Sequence, residues 1–252
     1  MALKLAVLFL TPLLAGLLIY LVPGRSSGNF KLLLVFAGAY LFSITVTHVL
    51  PELYLEFGQV NAIGLFVLAG FFLQQLLEYF SAGIEHGHIH AHSHNQAAHH
   101  GHHHKPVAAI VLLLALCVHA FLEGAMLAQP VTMSPVYDPH AILLGIALHR
   151  APAAFALMAV LTHQIQRKTA VLYLLIFSLT APAGLLLSSY FVETQVLTDS
   201  GLMYLYALVC GNFLHISTTI VFESSPDHHF NFRKLAVAVV GALAAVASGY
   251  LL

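Results

Sequence analysis

The sequence predicts an all-α membrane protein with eight transmembrane helices, and three observations lead to this fold class. Hydrophobic residues make up 60% of the 252 residues and charged residues only 8%, with a mean hydropathy of +0.88. A soluble domain is roughly a quarter charged, so this composition is not typical of a soluble enzyme. Long apolar runs recur between polar breaks, and in hydrocarbon such runs form helices because their backbone amides must pair internally.

Eight apolar runs are each long enough for a membrane-spanning helix of about 20 residues. They are the predicted spans one to eight, at residues 4–22, 31–50, 61–82, 107–128, 139–163, 169–191, 201–222 and 234–252. Turn and charge signals separate them, including Pro51-Glu52 after span two. Span one has no convincing small-residue cleavage site after it and is expected to stay in the membrane. The prediction is a single transmembrane domain over residues 1–252, with a histidine-rich loop at 83–106.

Positive charges predict the orientation of this bundle. The connections from odd to even spans contain basic residues, whereas the connections from even to odd spans contain only acidic charges. The basic residues are Arg25, Lys31, Lys105, Arg167, Lys168, Arg233 and Lys234. By the positive-inside rule these connections face the cytoplasm, and both termini lie outside it, in what we expect to be the cell membrane. Nine basic against ten acidic residues leave no basic surface for nucleic acid, so the lipid bilayer is the expected surrounding.

Histidine is far too frequent for a plain lipid-embedded bundle. Of the 18 histidines, ten lie in the loop between spans three and four. They are His86, His88, His90, His92, His94, His99, His100, His102, His103 and His104. Neutral imidazole binds zinc, nickel and copper, and a tract without fixed spacing predicts modest binding of several ions. A solvated low-complexity linker is the alternative interpretation.

Spans four and five carry ionisable residues inside apolar runs, where such residues are costly and indicate function. His119 and Glu123 are four residues apart, so they share one helix face. His149 lies roughly 15 Å along span five at 1.5 Å per residue, which places it at a similar depth. Two imidazoles and one carboxylate suit Zn²⁺ or a neighbouring divalent ion. Pro152 lacks a backbone donor and predicts a locally loosened helix beside His149.

Two further clusters each have two interpretations. His48 and Glu52 lie one turn apart at the end of span two and form either an external cation-collecting mouth or part of an interfacial helix stop. His215 lies in span seven, and Glu223 follows at the end of the same run. These residues form either an exit path for a cation or, for His215, a hydrogen-bonded helix contact.

These motifs resemble those of the ZIP (Zrt/Irt-like) family of divalent metal transporters, and the resemblance covers most of the chain. Residues 48–52 are similar to the His-Leu-Leu-Pro-Glu element that ends span two in the family. Residues 119–124 resemble the span-four motif His-Asn-x-Pro-Glu-Gly, and residues 149–154 resemble the span-five motif His/Gln-Asp/Lys-x-Pro-Glu-Gly. Residues 211–215 and 223–226 follow the span-seven pattern.

The resemblance implies a 3+2+3 inverted-repeat arrangement, in which spans one to three and spans six to eight are related by inversion and spans four and five carry the metal. It also implies uptake of a divalent transition metal, most simply Zn²⁺, by alternating access around one mid-membrane site. The metal is then the substrate, no organic cofactor is required, and the chain is not an enzyme. A homodimer is compatible with this interpretation.

The departures from the family pattern concern a second ion, which many members hold beside the first through side chains in spans four, five and six. The corresponding positions here have no metal-binding group: Ala120, Arg150, Ala153 and Ala181. The chain therefore resembles a variant with a single central metal site formed by His119, Glu123 and His149. Because a guanidinium stays protonated at any working pH, Arg150 is expected to replace the second ion, and it can also pair with Glu123.

Other functions stay open at this point. Two histidines and a glutamate around zinc are also a catalytic arrangement, so an intramembrane zinc-dependent hydrolase is one alternative, although the chain has no His-Glu-x-x-His motif. A non-transporting metal sensor is a second. An exporter of the cation diffusion facilitator type fits less well, because such proteins usually have six spans and a soluble C-terminal domain. No Gly-x-x-x-x-Gly-Lys-Ser/Thr loop indicates a nucleotide-driven pump.

Overall fold

The computed structural model describes residues 1–21, 27–81, 109–130, 138–223 and 232–251. Regular structure in these ranges is entirely helical, which confirms the all-α prediction for them. The helices are α1 (Ala2–Leu17, followed by a 3-10 turn at Leu18–Tyr20), α2 (Ser27–Ile44), α3 (Leu50–Phe57), α4 (Val60–Ser81), α5 (Ala109–Ala125), α6 (Pro139–Gln164), α7 (Arg167–Glu193), α8 (Asp199–Glu223) and α9 (Phe232–Leu251). The histidine-rich loop lies outside the described residues.

Each of the eight predicted spans coincides with helical structure. Helix α1 is span one, α2 and α3 together are span two, and α4 to α9 are spans three to eight. Six segments of the described chain are long and apolar enough to cross a membrane: Ala2–Tyr20, Lys31–Glu56, Val60–Phe80, Pro139–Gln164, Arg167–Glu193 and Asp199–Val221. Helix α5 is equally apolar but has only 17 residues.

The predicted end of span two at residue 50 is wrong. A five-residue π-helical segment, Thr45–Val49, carries the chain from α2 directly into α3. A proline inside a regular α-helix loses a hydrogen bond and collides with the carbonyl four residues earlier. Pro51 instead lies in the first turn of α3, just after the wider π turn, where a missing N–H costs little. The helix ends at Gly58, whose φ of 60° is a left-handed conformation that glycine adopts without strain.

Glycines bring two pairs of helices into backbone contact. A Cβ atom added at Gly124 of α5 would fall on the carbonyl oxygen of Ala181 in α7, and one at Gly184 would fall on that of Phe121. A Cβ atom added at Gly70 of α4 or at Gly211 of α8 would likewise fall on the backbone of the other helix, where these two helices cross. Small residues permit such close crossings in membranes, where helix association depends on tight packing. Both crossings lie beside the ionisable residues of the bundle.

The end of α5 is held by side chains from other helices. Helix α5 stops at Ala125, but the next three residues stay fully buried. The Leu127 carbonyl accepts a hydrogen bond from the Lys4 ammonium group at 3.0 Å, and the Ala128 carbonyl accepts one from the Tyr206 hydroxyl. Buried carbonyl groups require such partners. These bonds hold the last turn of α5, which contains Glu123.

Candidate metal centre

The structure brings together the three residues of the predicted central site, His119 and Glu123 of α5 and His149 of α6. One ligand atom from each lies within 4.8 Å of the other two. Nε2 of His119 lies 3.2 Å from Oε1 of Glu123, and the two imidazole rings meet edge to face with centroids 5.8 Å apart. Each of the three residues is at most 3% exposed. The structure therefore brings together the three side chains that the spacing of four residues and the matching depth predict to be neighbours.

This arrangement suits a small divalent ion. With Zn²⁺–ligand bonds of about 2.0–2.1 Å, two ligand atoms of a tetrahedral site are roughly 3.3 Å apart. The His119–Glu123 separation of 3.2 Å already has this value, so these two atoms can bind one ion without rearrangement. The His149 imidazole has to approach the other two by a small movement of its side chain, since no pair of ligand atoms exceeds 4.8 Å.

Arg150 lies directly beside this central site. Its Nη1 donates to Oε2 of Glu123 at 3.1 Å, and its Nη2 donates to the Phe177 carbonyl of α7 at 3.2 Å. The guanidinium carbon also lies 4.5 Å from the centroid of the Phe177 ring, a cation–π contact. The two oxygens of the Glu123 carboxylate therefore face different partners, Oε1 facing His119 and Oε2 facing Arg150. Helices α5, α6 and α7 meet at this one guanidinium group.

The other positions expected to replace a second ion are small and buried. Ala120 and Ala181 are completely buried, and Ala153 is 5% exposed. Ala181 also supplies the carbonyl that contacts Gly124, so its backbone lies against α5. The one charged group at these four positions is therefore the guanidinium of Arg150, on the Oε2 side of Glu123.

Comparison with known proteins identifies the family of the chain. The sequence model described as ZIP Zinc transporter matches residues 81–251, which include both motif-bearing helices α5 and α6. The chain belongs to the ZIP family. It is an integral, multi-pass membrane protein of a transporter family, not an enzyme.

Similar individual proteins are named as zinc transporters. The chain is 29% identical over 167 residues to Zinc transporter ZIP9 of Xenopus tropicalis, which covers 63% of this chain and 51% of the relative. It is 34% identical over 116 residues to Zinc transporter ZIP9 of Macaca fascicularis, covering 43% of this chain and 48% of the relative. The chain spans about half the length of the curated relatives it matches.

The predicted outer residues of this ZIP chain are partly accessible. His48 lies in the π-helical segment, half-buried, and its Nδ1 is 2.7 Å from the hydroxyl of Thr47. Glu52 is also half-buried, in the first turn of α3. Within the described ranges, the central site is the one group of three or more metal-ligating side chains, so His48 and Glu52 are not joined there by a third ligand.

His215 has a partner that the sequence did not predict. Its Nε2 lies 2.7 Å from Oε2 of Glu78 in α4, and the two side chains are 9% and 19% exposed. The signal for Glu78 was an acidic residue inside an apolar span, which by itself indicates function. We name these two residues the α4–α8 pair. Glu223 is the last residue of α8, and its side chain, like the loop histidines, lies outside the described residues.

Proposed function

We propose that this ZIP chain carries a divalent transition metal ion, with Zn²⁺ as the expected substrate, into the cytoplasm through one central site. The observation that carries the proposal is the meeting of three ligand atoms from two helices within 4.8 Å, deep in an apolar bundle. Imidazole and carboxylate are zinc ligands, and three protein ligands leave a fourth position to water. Because the protein supplies only three of the four ligands, the central site can bind the ion and still release it.

Arg150 limits the central site to one ion. Oε1 of Glu123 is turned to His119, and Oε2 accepts the hydrogen bond from Arg150. The charges of Glu123 and Arg150 cancel, so the arriving dication finds no surplus negative charge and is held loosely. A second dication beside the guanidinium would meet a repulsion of roughly 4 kcal/mol for each unit charge at ~4 Å and an effective dielectric of ~20.

The pairing of helices supports a 3+2+3 arrangement and alternating access. Extensive contacts join spans three and seven, spans two and eight, spans four and six, and spans one and five. In an inverted repeat of this kind, span one corresponds to span six, two to seven, three to eight, and four to five. The contact between spans three and seven then corresponds to the contact between spans eight and two. The contact between spans four and six corresponds in the same way to the contact between spans five and one. Such a correspondence is expected of inverted repeats, which rock around a central site in many transporters.

The charge distribution supports the direction of transport. By the positive-inside rule, the basic connections on one side favour a cytoplasmic position for the histidine-rich loop, where it can accept ions that leave the bundle. His48 and Glu52, half-buried at the opposite end, collect ions from outside. The proposal therefore comprises one transmembrane domain in the cell membrane, with both termini outside the cytoplasm.

Uptake into proteoliposomes tests the central site. We expect His119→Ala, Glu123→Ala and His149→Ala each to lower Zn²⁺ uptake by at least about 100-fold, since loss even of an outer-shell partner often costs 10–100-fold. His163→Ala is the matched control, because His163 is exposed at the far end of the same helix as His149. Wild-type uptake rates in all three variants would eliminate the central site.

A non-transporting sensor is the second candidate, because Arg150 already holds one oxygen of a proposed ligand. In a sensor this ion pair would keep the bundle in one conformation. Wild-type protein that binds one central ion but gives no metal flux would favour the sensor, whereas flux that depends on His119 would exclude it.

A further inference from the structure

The α4–α8 pair lies at corresponding places in two parallel helices. Phe66 stacks on Tyr204 near the start of both helices, with ring centroids 4.6 Å apart, and Glu78 meets His215 further along both. Glu78 is three residues before the end of α4 at Ser81. In the proposed orientation, both helices run from the outside towards the cytoplasm, so the pair lies between the membrane centre and the cytoplasmic end.

Helix packing alone does not account for the α4–α8 pair. The two helices are already in backbone contact through Gly70, which lies on Leu208, and through Gly211, which lies on Val67. A buried ion pair adds little net stability, because desolvation of both charges offsets their attraction. Ionisable residues inside an apolar span are costly and usually mark the path of an ion or proton.

The chemistry of the α4–α8 pair is that of a metal ligand set. An imidazole nitrogen and a carboxylate oxygen 2.7 Å apart need to separate only to roughly 3.3 Å to bind one Zn²⁺ ion tetrahedrally. The proton shared between Nε2 of His215 and Glu78 leaves to water as the ion binds, and the imidazole stays neutral with its proton on Nδ1. With two protein ligands instead of three, the ion is bound more weakly than at the central site and keeps more of its water.

A further buried polar residue lies close to the pair along α8. Asn212 is one helical turn before His215 and is 1% exposed. Neither Oδ1 nor Nδ2 of Asn212 has a hydrogen-bond partner in the described part of the chain. A buried amide without such a partner costs free energy, and an aquated cation supplies both an electrophile for Oδ1 and water for Nδ2. Gln74 is a second fully buried amide and lies one turn before Glu78 on α4.

We propose that Glu78 and His215 form a second, weaker binding station for the transported metal ion, with the amide of Asn212 on its approach. The inference rests on the proposed transport function and adds an intermediate stop on the route from the central site to the cytoplasm. The ion leaves three protein ligands for two, which lowers its affinity stepwise and lets it reach the cytoplasm without one strongly bound state.

Transport kinetics provide the first test. Glu78→Gln and His215→Gln, singly and together, are expected to lower the turnover of Zn²⁺ uptake about 10-fold and to change the KM for external metal by less than about twofold. Gln75→Ala is the matched control, because Gln75 is on the exposed side of α4. In the double variant the two amides can still form a hydrogen bond. Wild-type turnover in that variant would show that the pair only holds α4 and α8 together, and it would overturn the proposal.

Metal binding provides a second test that does not depend on transport. The full chain, with the ten loop histidines changed to serine and the central site disabled by His119→Ala and His149→Ala, is titrated with Co²⁺ and followed by its visible absorption. We expect one weakly bound Co²⁺ per chain, lost when His215→Gln is added. Absence of this ion in the folded protein would overturn the proposal.

The two tests separate this inference from the proposed function. Uptake that requires His119 but is indifferent to Glu78 and His215 would eliminate the station and keep the transporter. Co²⁺ binding at the α4–α8 pair together with no flux in the wild type would eliminate transport and keep the site.

Discussion

The central site and the α4–α8 pair use the same two ligand types in different surroundings. In the central site, the carboxylate of Glu123 is divided between His119 and a fixed cation, Arg150, and both residues of that ion pair are 1% exposed. In the α4–α8 pair, the carboxylate of Glu78 contacts His215 and is 19% exposed. The two groups thus differ in burial and charge compensation, although histidine and glutamate occur in both. The proposed roles, holding an ion at the central site and passing it on at the α4–α8 pair, depend on this difference.

The largest expected difference concerns the loss of one carboxylate charge. Glu123→Gln leaves the Arg150 guanidinium as a buried charge without its counter-ion, which should lower the free energy of unfolding by about 3–5 kcal/mol. Glu78→Gln removes a carboxylate that is 19% exposed and leaves an imidazole that can stay neutral, so it should cost clearly less than Glu123→Gln. Denaturant unfolding in detergent measures both.

A neutral replacement controls this experiment. Glu123→Gln combined with Arg150→Met removes both charges and should recover most of the stability while leaving the central site unable to bind metal. Equal losses for Glu123→Gln and Glu78→Gln would contradict the distinction between the two sites.

The helix crossings give the next largest effect. Gly124→Ala places a methyl group on the carbonyl oxygen of Ala181 and should destabilise the fold by about 1–3 kcal/mol, with loss of metal binding because α5 must move. Gly64→Ala is the control, since a Cβ there meets only the Tyr54 hydroxyl at 3.8 Å. If both variants unfold alike, the crossing does not position the central site.

A conservative change at Arg150 tests charge against geometry. Arg150→Lys keeps a cation near Glu123 but cannot also reach the Phe177 carbonyl and stack on its ring, so the free energy of unfolding should fall by about 1 kcal/mol. Because the charge is retained, the chain with its loop histidines replaced should still bind one Zn²⁺ in the central site. Two tightly bound central ions, in this variant or the wild type, would disprove the single-ion proposal.

The smallest effect is expected at the outer residues. Thr47→Val removes the hydroxyl that lies 2.7 Å from Nδ1 of His48 without changing the size of the side chain. We expect the KM for external Zn²⁺ to rise about twofold with turnover unchanged, the opposite of the pattern for His215→Gln. Concentration-dependent uptake distinguishes them, and a fall in turnover at constant KM would remove His48 from the entrance.

Much of the molecule could be predicted because it depends on local properties of the chain. A spacing of four residues places His119 and Glu123 on one helix face whatever surrounds them, and the rise per residue sets the depth of His149. The sequence predicts that span two ends before Pro51, because a proline usually interrupts a helix. The π-helical turn that accommodates this proline has no simple sequence pattern. The contact of Glu78 with His215 could not be predicted, because the two residues are 137 positions apart along the chain.

The sequence by itself determined the helical membrane fold, the approximate positions of the spans and the residues proposed as central ligands, since hydrophobic length and helical periodicity are local quantities. Only the tertiary structure decided that Arg150 takes Oε2 of Glu123 and that α4 and α8 bring Glu78 to His215. The reason is that helices in a bilayer are placed by close contacts at a few small residues, here the glycines of the two crossings. Which side chains then meet depends on the crossing geometry of helices that are distant along the chain.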